Sequence, residues 1–229
     1  MPEGRFLPRF LRPVPRSAPM VFTLLTLGAL CAAPASAPLP IRAQSDSLGA
    51  LFQHGKTWTE FFEGAKSRKE TWRDNYANGE PAAELVERAR AVDGTWQVLV
   101  VAEDWCGDSA NTIPYLVRLV EQVPGLELRI VNSSVGRWVM ERYKTPDGRA
   151  ATPTVVLLDA EGTPNGCFVE RPAGLRAWVA ENKGKLSDSE FQSGKTAWYQ
   201  NDRGHSTVTE FVETLESASR GELRCAGPA

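Results

Sequence analysis

Histidine is nearly missing from this chain: of its 229 residues only His54 and His205 are histidines. Neither has the spacing to another ligand-type residue that a metal site needs, so no zinc or other metal is expected. A serine nucleophile finds no histidine base near it in the sequence. No glycine-rich loop of the kind that cradles phosphate follows any apolar run, and no cofactor is expected. Basic patches are lacking too, with 26 Lys and Arg against 28 Asp and Glu. That balance argues against nucleic acid or an anionic membrane surface as a partner. There is no internal repeat, and no low-complexity segment beyond the N-terminus. What remains is one globular domain with a normal core.

The N-terminus differs from the rest. Arg5, Arg9, Arg12 and Arg16 precede a short apolar stretch, Met20 to Ala33, and then small residues and prolines. This is the pattern of a secretory signal peptide, with a basic leader, a compact apolar centre and A-x-A cleavage triplets. Ala33-Pro34-Ala35 and Ala35-Ser36-Ala37 supply the triplets, and Ala43 offers a further cleavage point. The apolar stretch falls short of the ~20 residues that span a bilayer. An exported, periplasmic or extracellular protein is therefore expected, without stable membrane insertion once the leader is gone. The alternative is an uncleaved leader acting as a tether. Cleavage near Ala43 removes five arginines and one acid, leaving 21 basic and 27 acidic residues and a net charge near −6.

Export leaves three cysteines, Cys106, Cys167 and Cys225, an odd number for an oxidising compartment. A bridge between Cys167 and Cys225 with Cys106 free is one arrangement; three unpaired thiols is the other. The boundaries expected are 1–43 for the leader, 44–95 for an N-terminal helical extension, 96–185 for an α/β core and 186–229 for a C-terminal helical extension.

Gln97 to Ala102 is an unbroken, β-branched apolar run of the buried-strand type. Trp105-Cys106-Gly107-Asp108-Ser109 follows, and then Ile113, Leu116, Val117, Val120 and Val123 fall at helical spacing. Pro114 implies a bent helix or two consecutive ones. Further strands are expected at Leu126–Val131, Val155–Asp159 and Gly166–Glu170, with a helix over 135–143. Helices then follow over 175–183, 188–200 and 207–219, giving a mixed sheet of order β-α-β-α-β-β-α. Phe52, Trp58, Phe61, Phe62, Trp72 and Tyr76 in the first extension are spaced to pack onto that sheet. Lys183 to Lys185 and the acids of the last helix read as solvated faces.

Four features in this order carry a resemblance: the strand, the Trp105–Ser109 loop, Pro114 in the next helix, and Thr152-Pro153-Thr154 before a buried strand. Together they resemble the thioredoxin superfamily, and within it bacterial thioredoxin-like proteins with a Trp-Cys-Gly-Asp loop. The resemblance implies a thioredoxin-like mixed sheet flanked by helices. It implies that Pro153 is cis and lies against Cys106, with the Thr152 backbone available to an extended substrate. It also implies thiol–disulfide exchange through Cys106, with protein or small-molecule thiols and disulfides as partners. Trp105 and Gly107 join Thr152 and Pro153 as substrate-contacting residues.

The chain departs from the pattern at two places. Ser109 stands where a dithiol protein has its resolving cysteine, and Val100 stands where thioredoxins proper carry a buried acid. Cys106 can still form a mixed disulfide, but another thiol must expel the product. Isomerase-like exchange, reductase-like exchange, and a binding module that has lost turnover all stay open. The Ser109 hydroxyl is expected to hydrogen-bond the sulfur. Asp108, Glu103 and Asp104 are expected to oppose its ionisation through their charge. Asp108 also reads simply as a first-turn acid, worth ~0.3–1 kcal/mol to its helix, and Glu103 and Asp104 as proton relays or solvated loop charges. Arg171-Pro172 resembles a recurring Arg-Pro of the subfamily. Its guanidinium is expected in a surface ion pair, with a place beside the loop as the alternative.

Overall fold

The computed structural model describes residues 47–225. The leader expected over 1–43 lies outside them. Four helices come first: α1 (Leu48–Gln53), α2 (Trp58–Gly64), α3 (Lys69–Asn78) and α4 (Ala83–Arg90). The next stretch holds β1 (Trp96–Val101), α5 (Gly107–Ala110), α6 (Ile113–Val120), β2 (Leu126–Val131) and α7 (Ser133–Arg142). It is followed by β3 (Thr154–Leu158), β4 (Pro164–Val169), α8 (Ala173–Asn182), α9 (Asp188–Asp202), α10 (His205–Ser219) and β5 (Arg224–Cys225).

The sheet runs β2-β1-β3-β4-β5. β1 is parallel to β2 and antiparallel to β3, and Val101 lies opposite Thr154 in that register. This is the expected mixed α/β sheet with one addition. The two-residue β5 pairs parallel to β4, Cys167 beside Cys225, and those two cysteines are joined by a disulfide. Cys106 is the free cysteine among the described residues.

β1 is an unbroken apolar run because it is covered on both sides. Val98 and Val100 face the larger core, with Trp72, Leu116, Phe168, Phe211 and Leu215 from the helices and β4. Leu99 and Val101 face the other, with Leu51, Phe52 and Val139 of α1 and α7. Period-two alternation therefore sorts β1 between two apolar layers, not between core and water. Gly136 lets α7 approach: a Cβ there would lie 2.7 Å from both Val101 methyls.

Pro114 does not bend a single helix. The chain forms two, with Pro114 in the first turn of α6, where a missing N–H costs nothing. The first-extension aromatics do pack on the core. Trp72 is fully buried, while Trp58, Phe61, Phe62 and Tyr76 are half-buried against it. The acids of the last helix are not a solvated face. Glu216 binds Arg88 through two hydrogen bonds of 2.9 Å. Glu213 pairs with Arg224 at 2.7 Å, and Glu210 accepts the Ala173 N–H at 2.5 Å.

Candidate functional site around Cys106

β1 ends in the core, and the loop from Ala102 carries the chain to Cys106 at the start of α5. Cys106 is the N-cap of that helix, with extended backbone, φ −76° and ψ 119°. Its sulfur accepts the Ser109 N–H at 3.4 Å. On the other side the thiol donates to the Thr152 carbonyl at 3.3 Å. The Thr152–Pro153 peptide bond is cis. Cys106, Thr152 and Pro153, far apart in the chain, thus meet around one half-buried sulfur. Trp105 beside it is 60% exposed, an unusual setting for an indole.

Ser109 is placed otherwise than expected. Its contact with the sulfur is through the backbone, and its side chain is fully buried with no hydrogen-bond partner for the hydroxyl. Val100, at the position of the missing buried acid, is fully buried among apolar neighbours.

Asp108 lies in the first turn of α5, as read, but it is buried and held by charged partners from elsewhere in the fold. Arg171 Nη2 and Nε donate to its Oδ2 at 2.7 and 3.1 Å, and Lys195 Nζ and the Tyr199 hydroxyl donate to Oδ1 at 3.2 and 3.0 Å. Burial pushes the Asp108 carboxyl up, but Arg171 and Lys195 outweigh it and hold the carboxyl below its ordinary value. Burial, and then the Asp108 charge, push the Tyr199 phenol well above its own. Two cations, Arg171 and Lys195, thus meet the Asp108 carboxylate.

The Arg171 pair is therefore not at the surface: its side chain is 15% exposed. Arg171 also reaches Glu170 at 3.0 Å, and Arg149 grips the same buried Glu170 with two hydrogen bonds of 3.1 and 2.9 Å. The Glu170 N–H donates to the Pro153 carbonyl at 2.7 Å, from a left-handed backbone of φ +63°. One ionic chain thus fastens α9, α5, the end of β4 and the cis-Pro turn together.

Glu103 and Asp104 turn out to be fasteners of the loop. Glu103 Oε1 accepts the Ser133 N–H and hydroxyl at 2.8 and 2.6 Å. Asp104 Oδ2 accepts the Lys66 and Ser67 N–H groups at 2.6 and 3.1 Å. Each carboxylate ties the loop to a neighbouring segment through one of its oxygens.

Residues of the N-terminal helices complete the site, and none was marked by a motif. Arg68 Nε donates to the Trp105 carbonyl at 2.7 Å. The Trp72 indole donates to the Asp104 carbonyl at 2.9 Å, and Asn75 Nδ2 to the Ala110 carbonyl at 2.8 Å. Only Trp72 had a legible signal, its place among the packing aromatics.

Among the described residues, no three His, Cys, Asp or Glu side chains gather as a metal site. None of the described helices is long and apolar enough to cross a membrane.

Comparison with curated proteins finds no match. Among solved structures, the chain is similar to a Pseudomonas aeruginosa protein of unknown function, PA1234, at 23% identity and TM-score 0.58. It is similar also to an HIV epitope scaffold at 22% identity and TM-score 0.57. Each match covers 75% of this chain and 98% of the other, and at that identity the likeness is one of fold. A family model described as thioredoxin matches residues 55–184, a span that takes in α2 to α4 together with strands β1 to β4. With more than half its length so matched, and with a free cysteine facing a cis-proline turn at the end of β1, the chain belongs to the thioredoxin family.

Proposed function

We propose that this is an exported thioredoxin-like protein of the Trp-Cys-Gly-Asp type, working in thiol–disulfide exchange with Cys106 as the nucleophile. The observation that carries the reading is the sulfur's position, 3.3 Å from the Thr152 carbonyl beside cis-Pro153, with the Ser109 N–H directed at it. A partner segment laid along the Thr152 turn brings its disulfide to that sulfur. In its ionised form the sulfur attacks the nearer sulfur of the disulfide. A new S–S bond to Cys106 forms, the partner's S–S bond breaks, and the departing thiolate takes a proton from water.

The cycle then stops until a second thiol arrives. Ser109 has no sulfur with which to expel the adduct, so another protein thiol, a small thiol or the partner's own neighbouring cysteine completes it. The buried, unpartnered Ser109 hydroxyl favours a second reading as well: a module that holds its captured partner without turnover. Cys167 and Cys225 are occupied with each other and supply no resolving thiol.

The test is to mix the chain with a disulfide-bonded model peptide and map adducts by mass spectrometry, alongside alkylation rates across pH. A mixed disulfide at Cys106, released by dithiothreitol and lost in Cys106→Ala, supports exchange. Turnover with an added small thiol separates the exchange catalyst from the capture module. No adduct, with alkylation no faster than that of free cysteine, overturns the proposal.

A further inference from the structure

Three acids flank the cysteine in the sequence, and each is hydrogen-bonded to another part of the fold. Asp104 is taken by the Lys66 and Ser67 backbone, Glu103 by Ser133, and Asp108 by Arg171, Lys195 and Tyr199. Only Asp108 is paired with cations, while Glu103 and Asp104 keep their charge and bond neutral donors. Beside them stands a guanidinium that no carboxylate among the described residues engages. Arg68 uses Nε to bind the Trp105 carbonyl at 2.7 Å, and its two terminal nitrogens have no partner among the described residues. Of the described arginines, only Arg68, Arg142 and Arg203 lack a carboxylate within 4.0 Å. Arg142 lies over the Tyr143 ring and Arg203 donates to the Asn78 carbonyl.

Arg68 is also held in place. It is the N-cap of α3 with a left-handed backbone, φ +50°, and its carbonyl accepts the Trp72 N–H at 3.1 Å. The guanidinium lies over the residue next to the cysteine: a Cβ on Gly107 would be 3.6 Å from both Cζ and Nη1. A fixed, half-used guanidinium and an exposed indole therefore form one rim of the Cys106 site.

We infer that Arg68 selects the partner of Cys106, favouring disulfides that carry a carboxylate close to the reacting sulfur. The inference rests on the thiol–disulfide reading above and names its substrate class. The terminal N–H groups offer the paired geometry that a carboxylate accepts. The exchange step itself is unchanged, and the partner's own disulfide is the oxidant. Arg68 touches the partner's anionic group, not the reacting sulfurs, so it determines specificity.

The experiment measures second-order rates of Cys106 in the full chain with three small disulfides. Dithiodipropionate has carboxylate ends, cystamine has ammonium ends and hydroxyethyl disulfide is neutral. The ratio of the first two rates cancels the thiolate fraction, and the same ratio for free cysteine corrects for intrinsic reactivity. The corrected ratio is expected to favour the carboxylate roughly fivefold at low ionic strength. It should fall toward unity at about 1 M salt, where the screening length is ~3 Å. Arg68→Gln should abolish the preference, Arg68→Glu invert it and Arg68→Lys keep part of it. A wild-type ratio equal to that of free cysteine, or one unchanged in a folded Arg68→Gln, overturns the inference alone. No reaction even with hydroxyethyl disulfide overturns the exchange reading, and this inference with it.

Discussion

Arg171 and Asp108, 63 residues apart in the chain, meet at 2.7 Å and join the end of β4 to the first turn of the Cys106 helix. Both side chains are largely out of water, at 15% and 9% exposure. Such a pair adds little beyond its own desolvation cost, yet breaking it is expensive, because a buried charge is left unmatched. Asp108→Ala strands Lys195 and leaves Arg171 with Glu170 alone, and is expected to cost about 3–5 kcal/mol of stability. Urea unfolding checks this. A loss under ~1 kcal/mol would put the pair with exposed ones. Combining Asp108→Ala with Arg171→Met should cost less than the two single changes added together.

The same carboxyl gives the fold an acid limit. Asp108 is held below its ordinary value of 3.8 when the chain is folded. A group lowered on folding contributes stability that is present above its unfolded pKa and is lost as pH falls through the folded one. The contribution is thus intact at neutral pH and disappears as pH drops below 3.8. Unfolding free energy measured from neutral to strongly acid pH should fall more steeply in the natural chain than in Asp108→Asn. Parallel profiles would show that the ion pair carries no such linkage.

How much of this was legible follows from how local each signal is. β1 and α6 announce themselves through runs and spacings only a few residues long, and the Cys106 loop lies between them. The cis state of Pro153 came from the resemblance, since the residues around a proline seldom dictate it. The fate of Asp108 was illegible because Arg171, Lys195 and Tyr199 come from β4 and α9, 63 to 91 residues away. Until they arrive, Asp108 is indistinguishable from any helix-start acid. Arg68 was hidden for the same reason: its role comes from lying over Gly107, and nothing in its neighbours points there. β5 is too short for any pattern, two residues held by pairing and a disulfide.

Ser109→Cys tests whether the site lacks only a sulfur. The position is fully buried, its N–H already addresses Cys106, and the hydroxyl now there has no partner. Replacing an unsatisfied buried hydroxyl by a similar-sized apolar sulfur should be neutral or stabilising by about 1 kcal/mol. The variant is expected to reduce insulin with dithiothreitol as recycling reagent, where the natural chain does so poorly. Equal rates in both chains would mean that the barrier to turnover lies elsewhere.

The Cys167–Cys225 bridge closes a loop with a sequence separation of 58 residues. On a chain-entropy basis such a loop contributes about 4 kcal/mol, with measured bridges commonly giving 2–4. Cys167 is buried, so the bridge should resist mild reductant in the folded state. Cys225→Ser is expected to lower unfolding free energy by about 2–4 kcal/mol under non-reducing conditions. An unchanged midpoint would show that β5 and the chain after α10 add nothing to the fold.

Trp72 decides whether the N-terminal helices brace the Cys106 loop or merely cover the core. Its indole is fully buried, and its N–H satisfies the Asp104 carbonyl at 2.9 Å. Trp72→Phe keeps an aromatic ring in the core but leaves that carbonyl without its donor, at a cost of about 1–3 kcal/mol. If the bond positions the loop, amide exchange at 103–107 should quicken by more than the global stability loss accounts for. Adduct formation at Cys106 should slow in step. Were exchange to rise evenly across the sheet, Trp72 would be core packing alone, and the loop would owe its shape to Asp104 and the charge network on its other side.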